Sequence, residues 1–338
     1  MNPNPLYPAS NTNPSSLAGI NGLKNTADRD PRDAEDARAT AQTSTVNPAD
    51  REHPLLGSRV AGPRSLTVIY PPSFAPGTIV TGIRNLICYR DLLYTLTVFR
   101  LAVRYKQSIL GWIWAALQPL GMMIVYTFVF SSLARVRSEG MPYPLFVFSG
   151  LLPWIFFSGS VSNAINGMVS HSTLITKLYF PREIIPLSYV FAALVDFGVS
   201  CAILFGLMLY YGATLSWKIL FILPVVAILI AFTSAVALFL SSIQVRFRDT
   251  AAALPVLLQI GVFATPVAYS VESIPTRLQR LYLLNPVASL IEDFRRVILR
   301  GSAPDLSLLL TSGVVTFFCL AFAYAYFKAT ESTMSDVI

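Results

Sequence analysis

Charge is scarce in this sequence. Only 13% of its 338 residues are Asp, Glu, Lys or Arg, whereas 54% are hydrophobic and the mean hydropathy is +0.58. Soluble domains carry about 25% charged residues, so this scarcity excludes an ordinary soluble domain and indicates a membrane protein.

The formal net charge of +7 does not predict binding to nucleic acid. Residues 1–80 hold seven basic and seven acidic residues, and most of the other basic residues lie in short segments between apolar runs. This distribution is typical of topology signals and of contacts with anionic headgroups. We therefore expect membrane lipids, and no nucleic acid, among the partners.

Histidine and cysteine are also rare. The two histidines, His53 and His171, are too few for a metal centre. The three cysteines, Cys88, Cys201 and Cys319, are far apart and show no metal-binding or redox spacing. The motif GxxxxGK[ST] is missing as well, so we expect no phosphate-binding P-loop in this chain.

The first 80 residues differ in composition from the rest. They are rich in Asn, Pro, Ala, Ser and Asp and have few apolar clusters, so burial cannot offset the entropy of ordering them. No apolar stretch typical of a signal peptide follows the first Met. We expect a disordered cytoplasmic tail at 1–80, a linker rather than a docking segment, and a membrane domain at 81–338.

Six apolar runs follow the tail, each near the ~20 residues that a helix needs to cross about 30 Å of hydrocarbon. The runs lie at about 111–133, 143–170, 186–211, 219–242, 251–270 and 306–327. The sequence therefore predicts an all-α membrane protein with six transmembrane helices. An even number places both termini on one side, and the distribution of Lys and Arg favours the cytoplasm.

Residues 84–106 predict an amphipathic helix lying at the membrane interface before the first span. An apolar stripe with alternating spacings of three and four is formed by Tyr89, Leu92, Leu96, Phe99 and Val103. Basic residues flank the stripe, as in interfacial helices: Arg90, Arg100, Arg104 and Lys106. The alternative is a plain extension of the first span.

The connection at 271–305 contains two apolar pieces that are too short to span. They run from Leu278 to Leu284 and from Val287 to Ile291, with Asn285-Pro286 between them. This pattern favours short re-entrant or interfacial helices before the last span over an amphipathic surface loop. The arginines that follow, Arg295, Arg296 and Arg300, could meet a diphosphate or a headgroup, but a solvated loop explains them more simply.

Asp196 lies near the middle of the third predicted span. A carboxylate at this depth is a functional candidate because leaving it unpaired is unfavourable. A proton-coupled carrier would use it as a relay. We favour a buried Asp paired with a hydroxyl, a backbone group or an Arg of a neighbouring helix.

Several sequence motifs carry a family resemblance. They are the run RYKQSILG from Arg104 to Gly111, Gln118-Pro119-Leu120, GLLPW from Gly150 to Trp154, the Pro-punctuated segment from Thr173 to Pro186, and Leu284-Asn285-Pro286. In this order they resemble the permeases of type-2 ABC exporters for O-antigen, capsule and teichoic acid. The resemblance covers about 84–328, and the N-terminal tail departs from the family's usual short start.

The resemblance implies a homodimer bound to two copies of a separate nucleotide-binding subunit, in the bacterial inner membrane. That subunit would bind ATP and Mg²⁺, so this chain would carry no cofactor and would not be an enzyme. The cargo would be a polysaccharide linked to a polyprenyl diphosphate. The alternatives are a type-2 ABC permease for a drug or lipid, and a membrane-embedded glycosyltransferase, for which the longest polar loop offers only Glu292 and Asp293 as neighbouring acids.

The polar segment between the second and third spans cannot lie in hydrocarbon, so it predicts a surface loop on which a soluble partner can press. We expect residues 173–183 to transmit force from the ATPase. The contacts would come from Lys177, Leu178, Tyr179, Phe180, Arg182 and Glu183. A passive loop is the alternative.

A glycan that slides needs many weak contacts, which aromatic faces provide. In the resembled family, spans one, two and five approach the dimer axis. The channel-lining candidates on or beside those spans are Trp114, Tyr126, Phe130, Trp154, Phe263 and Tyr269.

Overall fold

The computed structural model describes residues 87–106, 111, 113–133, 140–171, 180–213 and 216–337, with backbone alone at 133, 280, 281, 332, 333 and 335–337. These residues form helices and no strand, which confirms an all-α membrane protein. The predicted tail at 1–80 lies outside the described residues, and so do most residues of the predicted coupling loop.

Nine α-helices make up the described part of the chain. In chain order they are α1 Arg90–Lys106, α2 Ile113–Tyr126, α3 Tyr143–Ser170, α4 Ile184–Tyr210, α5 Ile222–Arg246, α6 Thr250–Ala264, α7 Thr276–Leu283, α8 Pro286–Ile298 and α9 Leu306–Val337. A π-helical turn at Thr127–Leu133 continues α2, and a 3-10 turn at Trp217–Phe221 leads into α5.

Five helical segments of the described residues are long and apolar enough to cross a membrane. They are Ile113–Ser132, Tyr143–Ser170, Ile184–Tyr210, Trp217–Arg246 and Leu306–Glu331. These segments coincide with the first, second, third, fourth and sixth predicted spans. The fifth differs: α6 has 15 residues, about 22 Å at 1.5 Å per residue, which is short of the ~30 Å hydrocarbon core.

α6 is short because the chain leaves the helix at Thr265, where the backbone is extended (φ −113°, ψ 137°). The next residue is Pro266, which lacks an N–H and disfavours helical geometry in the residue before it. The predicted span at 251–270 is therefore helical only as far as Ala264. The following turn is held by a side chain from α8.

Arg295 of α8 holds this turn. Its Nη1 donates to the carbonyl oxygens of Pro266 at 2.8 Å and Tyr269 at 3.4 Å, and its Nη2 donates to that of Val267. The guanidinium also lies over the Phe146 ring, 4.0 Å from its centroid. Arg295 is only 2% exposed, so our prediction that it belongs to a solvated loop is wrong.

The connection before the last span does contain two short helices, α7 and α8. Asn285 caps α8 by accepting from the Val287 N–H at 3.1 Å, and Pro286 occupies the first helical position. Nearly every residue of α8 is buried, and α8 packs against α3, α5 and α9. An ordinary surface loop is therefore wrong for α8, which is part of the core.

α3 is the centre of the described part of the chain. Within its apolar 18-residue stretch, 72% is buried inside the subunit, compared with 6% in the first span and 17% in the last. One apolar cluster joins α3 to α4, α5 and α8, and within it the Phe197 ring contacts the rings of Phe156 and Phe294. α2 and α6 lie at the edge and present most of their side chains outward.

Candidate functional site

A polar cluster joins the start of α4 to the end of α9. Glu183 directly precedes α4, and its side chain has 0% exposed surface. Lys328 of α9 donates from Nζ to Glu183 Oε2 at 2.8 Å and to Glu331 Oε2 at 2.9 Å. One ammonium group is therefore shared by two carboxylates, of which one is completely buried.

Two further contacts tie the same elements together. Glu331 Oε1 accepts from the backbone N–H of Arg182 at 3.3 Å, and the Arg182 guanidinium donates to the Glu331 carbonyl oxygen. The Tyr324 hydroxyl donates to Glu183 Oε1 at 3.4 Å. The chain entering α4 is thus bonded to three successive turns of α9.

The apolar side of this junction is also packed. Phe180, 9% exposed, belongs to a cluster with residues from α3, α4, α5 and α9, and Leu92, Leu93 and Leu96 of α1 pack against it. Burial raises the pKa of the Glu183 carboxyl, and the nearby Lys328 ammonium opposes that shift. Lys328 is therefore the group that favours the ionised form of Glu183.

The predicted coupling residues differ in whether the structure describes them and in how far they are buried. Lys177, Leu178 and Tyr179 lie outside the described residues. Phe180 and Glu183 are buried, and Arg182 keeps part of its surface exposed. Glu183 therefore faces α9 rather than the surface on which we predicted it. Of the described members of the set, Arg182 is the one that a partner could reach.

A second junction joins α1 to the end of α3. Arg100 Nη1 lies 2.8 Å from His171 Nε2, and His171 Nδ1 lies 2.9 Å from the Gly167 carbonyl oxygen. Since a carbonyl only accepts, Nδ1 carries the proton and Nε2 accepts from Arg100. The guanidinium lies 4.0 Å from the centroid of the Tyr189 ring. Burial lowers the pKa of His171, which favours this neutral form.

A third junction involves Asp196 near the middle of α4. Arg104 of α1 forms an ion pair with Asp196 Oδ2, and the Tyr105 hydroxyl donates to Oδ1 at 2.6 Å. The expected pairing of Asp196 with a hydroxyl and an Arg of a neighbouring helix is confirmed, but its side chain is 21% exposed and only partly buried. Both partners belong to the helix that we predicted as interfacial.

α1 packs on the protein with a face different from the predicted apolar stripe. Leu92 and Leu96 are partly buried, but Tyr89, Phe99 and Val103 are exposed. Its protein-facing side also carries Arg100, Leu101 and Tyr105. Of the other predicted basic residues, Arg90 is exposed beside Asp91, with 3.7 Å between Nε and Oδ1, and Lys106 is exposed.

A cavity of about 430 Å³ lies where α1 meets α2, α3 and α4. Its lining combines apolar side chains with a smaller polar group. The polar and aromatic members of the lining are Arg104, Tyr105, Trp114, Gln118, Phe156, Asn163, Asp196, Phe197 and Ser200. The Arg104–Asp196 ion pair therefore borders a space between membrane helices.

The six aromatic candidates do not share one environment. Trp114 is 50% exposed at the cavity and Phe263 is 56% exposed on α6. Tyr126 and Phe130 are partly buried and stack with 5.6 Å between ring centroids. The Tyr269 hydroxyl donates to the Phe263 carbonyl oxygen at 2.7 Å.

Trp154 is a core residue within this subunit. It is 8% exposed, and its ring centroid lies 5.7 Å from that of Phe157. The indole packs so closely on α6 that a Cβ added at Gly261 would lie 2.8 Å from it. We predicted Trp154 as channel-lining, but its ring fills the contact between α3 and α6.

Sequence reasoning missed two of these features. The pairing of Glu183 with Lys328 joins residues 145 positions apart, and the capping of the turn after α6 by Arg295 joins residues up to 29 apart. The sequence did contain a sign of the Glu183–Lys328 pairing, since Lys328 and Glu331 lie three residues apart just beyond the last apolar run. Among the described residues, no group of three or more His, Cys, Asp and Glu could hold a metal ion.

Comparisons with known proteins agree on one family. Residues 91–299 match the family model described as ABC-2 type transporter. Over 259 residues, 76% of this chain and 98% of the relative, the sequence is 33% identical to the O-antigen export system permease protein RfbA of Myxococcus xanthus. A protein of that description from Klebsiella pneumoniae is 31% identical over 62% of this chain and 81% of its own length. The polysialic acid transport protein KpsM of Escherichia coli is 24% identical over 68% and 90%.

Proposed function

This chain belongs to the ABC-2 type transporter family, and from that premise we propose that it is the permease subunit of an ATP-driven polysaccharide exporter. The observation that carries the proposal is its similarity to export permeases along nearly their whole length, 98% for the Myxococcus protein. The cargo would be a glycan on a polyprenyl diphosphate, moved across the bacterial inner membrane.

The energy comes from a separate subunit in this proposal. The sequence has no P-loop motif, so ATP and Mg²⁺ would bind to two copies of an ABC ATPase. That ATPase presses on residues 173–183, hereafter the coupling segment. The described end of the segment lies directly before α4, which supports a role in passing movement into the membrane helices.

The permease acts as a homodimer in this proposal. The apolar 18-residue stretch of the first span is only 6% buried within one subunit, and Leu254 is the one buried residue of α6. Two copies that face each other around a two-fold axis would cover these helices and enclose a wider conduit than one copy can. Exposed rings such as Trp114 and Phe263 would then offer weak contacts to a sliding glycan.

The orientation places both chain termini, the coupling segment and the end of α9 in the cytoplasm. The positive-inside rule supports it, since Lys and Arg are more frequent in the short segments on that side. The ATPase requires the same orientation, because ATP is available only there.

Deleting the gene in its own host tests the function. We expect that full-length lipid-linked polysaccharide is still made but accumulates on the cytoplasmic side, while none reaches the cell surface. A membrane-embedded glycosyltransferase would leave no full-length glycan. A drug or lipid permease would leave surface polysaccharide unchanged and alter drug sensitivity or lipid composition instead. Either result would overturn the proposal.

A further inference from the structure

The last helix is longer than a membrane requires. α9 has 32 residues, about 48 Å at 1.5 Å per residue, whereas the hydrocarbon core is ~30 Å thick. Its final turns therefore extend beyond the apolar region. That extension carries Lys328 and Glu331, and Tyr324 lies one turn before them.

We call Tyr324, Lys328 and Glu331 the C-terminal clamp, because all three contact the last residues of the coupling segment. Two of these contacts hold the buried Glu183 carboxylate, at 2.8 Å from Lys328 and 3.4 Å from Tyr324. Glu331 holds the neighbouring Arg182 through its backbone N–H at 3.3 Å. A completely buried carboxylate needs a partner to stay ionised, and Lys328 provides it.

The clamp joins the coupling segment to a second membrane helix. The segment continues directly into α4, so a force on it reaches α4 through the backbone. Through the clamp, Arg182 and Glu183 are also bonded to α9, and Phe180 lies in one apolar cluster with residues of α9. α9 in turn packs along α5 and α8, so the contact reaches the core of the subunit.

We propose that Lys328 and Glu183 are positioning residues for ATP coupling: the ion pair that Lys328 makes with the buried Glu183 fixes the end of the coupling segment so that ATPase movement displaces α4 and α9 together. The inference rests on the proposed function, because it assumes that the coupling segment receives the ATPase. It assigns a transport role to a helix end that the family resemblance leaves without one.

The test uses the complete complex of this chain with its ABC ATPase, reconstituted in lipid vesicles. The variants are Lys328→Met, Lys328→Arg, and the exchange Glu183→Lys with Lys328→Glu. In the exchange the ammonium group at position 183 again lies between two carboxylates, because Glu331 stays in place. The measured quantity is the amount of lipid-linked glycan moved per ATP hydrolysed.

We expect Lys328→Met to lower that ratio by about tenfold or more, since a buried carboxylate that has lost its partner is strongly destabilised. Lys328→Arg and the charge exchange should restore most of it. Arg248→Met is the matched control: it removes one exposed positive charge two residues beyond the end of α5 and should leave the ratio unchanged. Thermal unfolding of each purified permease identifies a variant that does not fold.

An unchanged ratio in folded Lys328→Met complexes would overturn the inference. So would a loss that neither Lys328→Arg nor the charge exchange restores although both of these variants unfold at the same temperature as the wild type. Failure of the proposed function looks different: the wild-type chain itself would then bind no ABC ATPase or move no glycan with ATP. In that case the variants would have no coupled transport to lose.

Discussion

At the scale of single residues, Asp293 of α8 is a buried carboxyl group outside the long membrane-spanning helices. It is 0% exposed, its Oδ1 accepts from the Asp305 N–H at 2.8 Å, and its Oδ2 has no hydrogen-bond partner among the described residues. Burial raises the pKa of Asp293 to about 6. The groups that face it include Glu292, Arg296 and Asp305.

The raised pKa has a definite consequence for stability. The folded protein takes up a proton at Asp293 near pH 6, whereas the unfolded chain does so near the ordinary value of 3.8. The stabilising contribution is therefore fully present below about pH 3.8 and is lost as pH rises through about 6. We expect the thermal midpoint of the purified protein to be higher at pH 5 than at pH 7.5.

The substitution Asp293→Asn tests whether this carboxyl group causes the pH dependence of stability. An amide keeps the acceptor for the Asp305 N–H but carries no charge, so the variant should be more stable than wild type at pH 7.5 and closer to it at pH 5. The difference at pH 7.5 should be up to about 3 kcal/mol, since one pKa unit corresponds to about 1.4 kcal/mol. A pH profile identical to that of wild type would show that Asp293 does not titrate in this range.

At the scale of elements, the sequence predicted the five long helical segments closely because each apolar run ends at polar or Pro-containing segments that cannot remain in hydrocarbon. α3 begins at Tyr143 and ends at Ser170, as predicted. The fifth predicted span, 251–270, extends beyond the helix because the chain turns at Thr265 and Pro266, and this turn is held by a residue of another helix. Pro266 is visible in the sequence, but Arg295 comes from α8, and no local pattern reports that contact.

In the candidate site, too, contacts between distant residues could not be predicted from local sequence patterns. The apolar stripe of α1 was visible, but which face packs on the protein depends on Asp196 of α4 and on His171, which directly follows α3. The position of the coupling segment followed from its polarity. The burial of Glu183 did not, because its partner Lys328 is 145 residues away.

Arg295 provides an element-scale prediction. Replacing it with Met should remove the donors for three backbone carbonyls and lower the free energy of unfolding by about 2–5 kcal/mol. Arg295→Lys should restore only part of this, since a single ammonium cannot reproduce the planar guanidinium. Thermal unfolding in detergent measures both.

The adjacent Arg296 is the control for that experiment. Its side chain is 30% exposed and pairs with the 39% exposed Asp305 at 3.2 Å, so Arg296→Met should change stability by less than about 1 kcal/mol. Equal effects of the two substitutions would contradict the assignment of Arg295 to the turn after α6.

At the scale of the whole molecule, the distribution of burial divides the aromatic residues into two groups. Phe263 and Trp114 are about half exposed on the helices that one subunit leaves uncovered, whereas Trp154 fills the contact between α3 and α6. If the conduit lies between two copies, exposed rings should affect transport and the buried ring should affect stability.

We therefore expect Trp114→Ala combined with Phe263→Ala to slow export of long glycans several-fold at an unchanged thermal midpoint. Trp154→Ala should instead lower the free energy of unfolding by about 3–5 kcal/mol, because it leaves a cavity in the core. Surface polysaccharide length, measured beside protein level and thermal midpoint, distinguishes the two. Normal export by the double variant would place the conduit elsewhere.

The central claim is that this permease moves a lipid-linked polysaccharide with energy from a separate ATPase. The most direct test reconstitutes the permease and its ABC ATPase in vesicles that contain the glycan lipid and measures how much glycan becomes accessible to a glycosidase on the far side. We predict transport that requires Mg²⁺ and hydrolysable ATP and is absent when either subunit is omitted. Glycan movement without ATP, or none with the complete complex, would contradict the account.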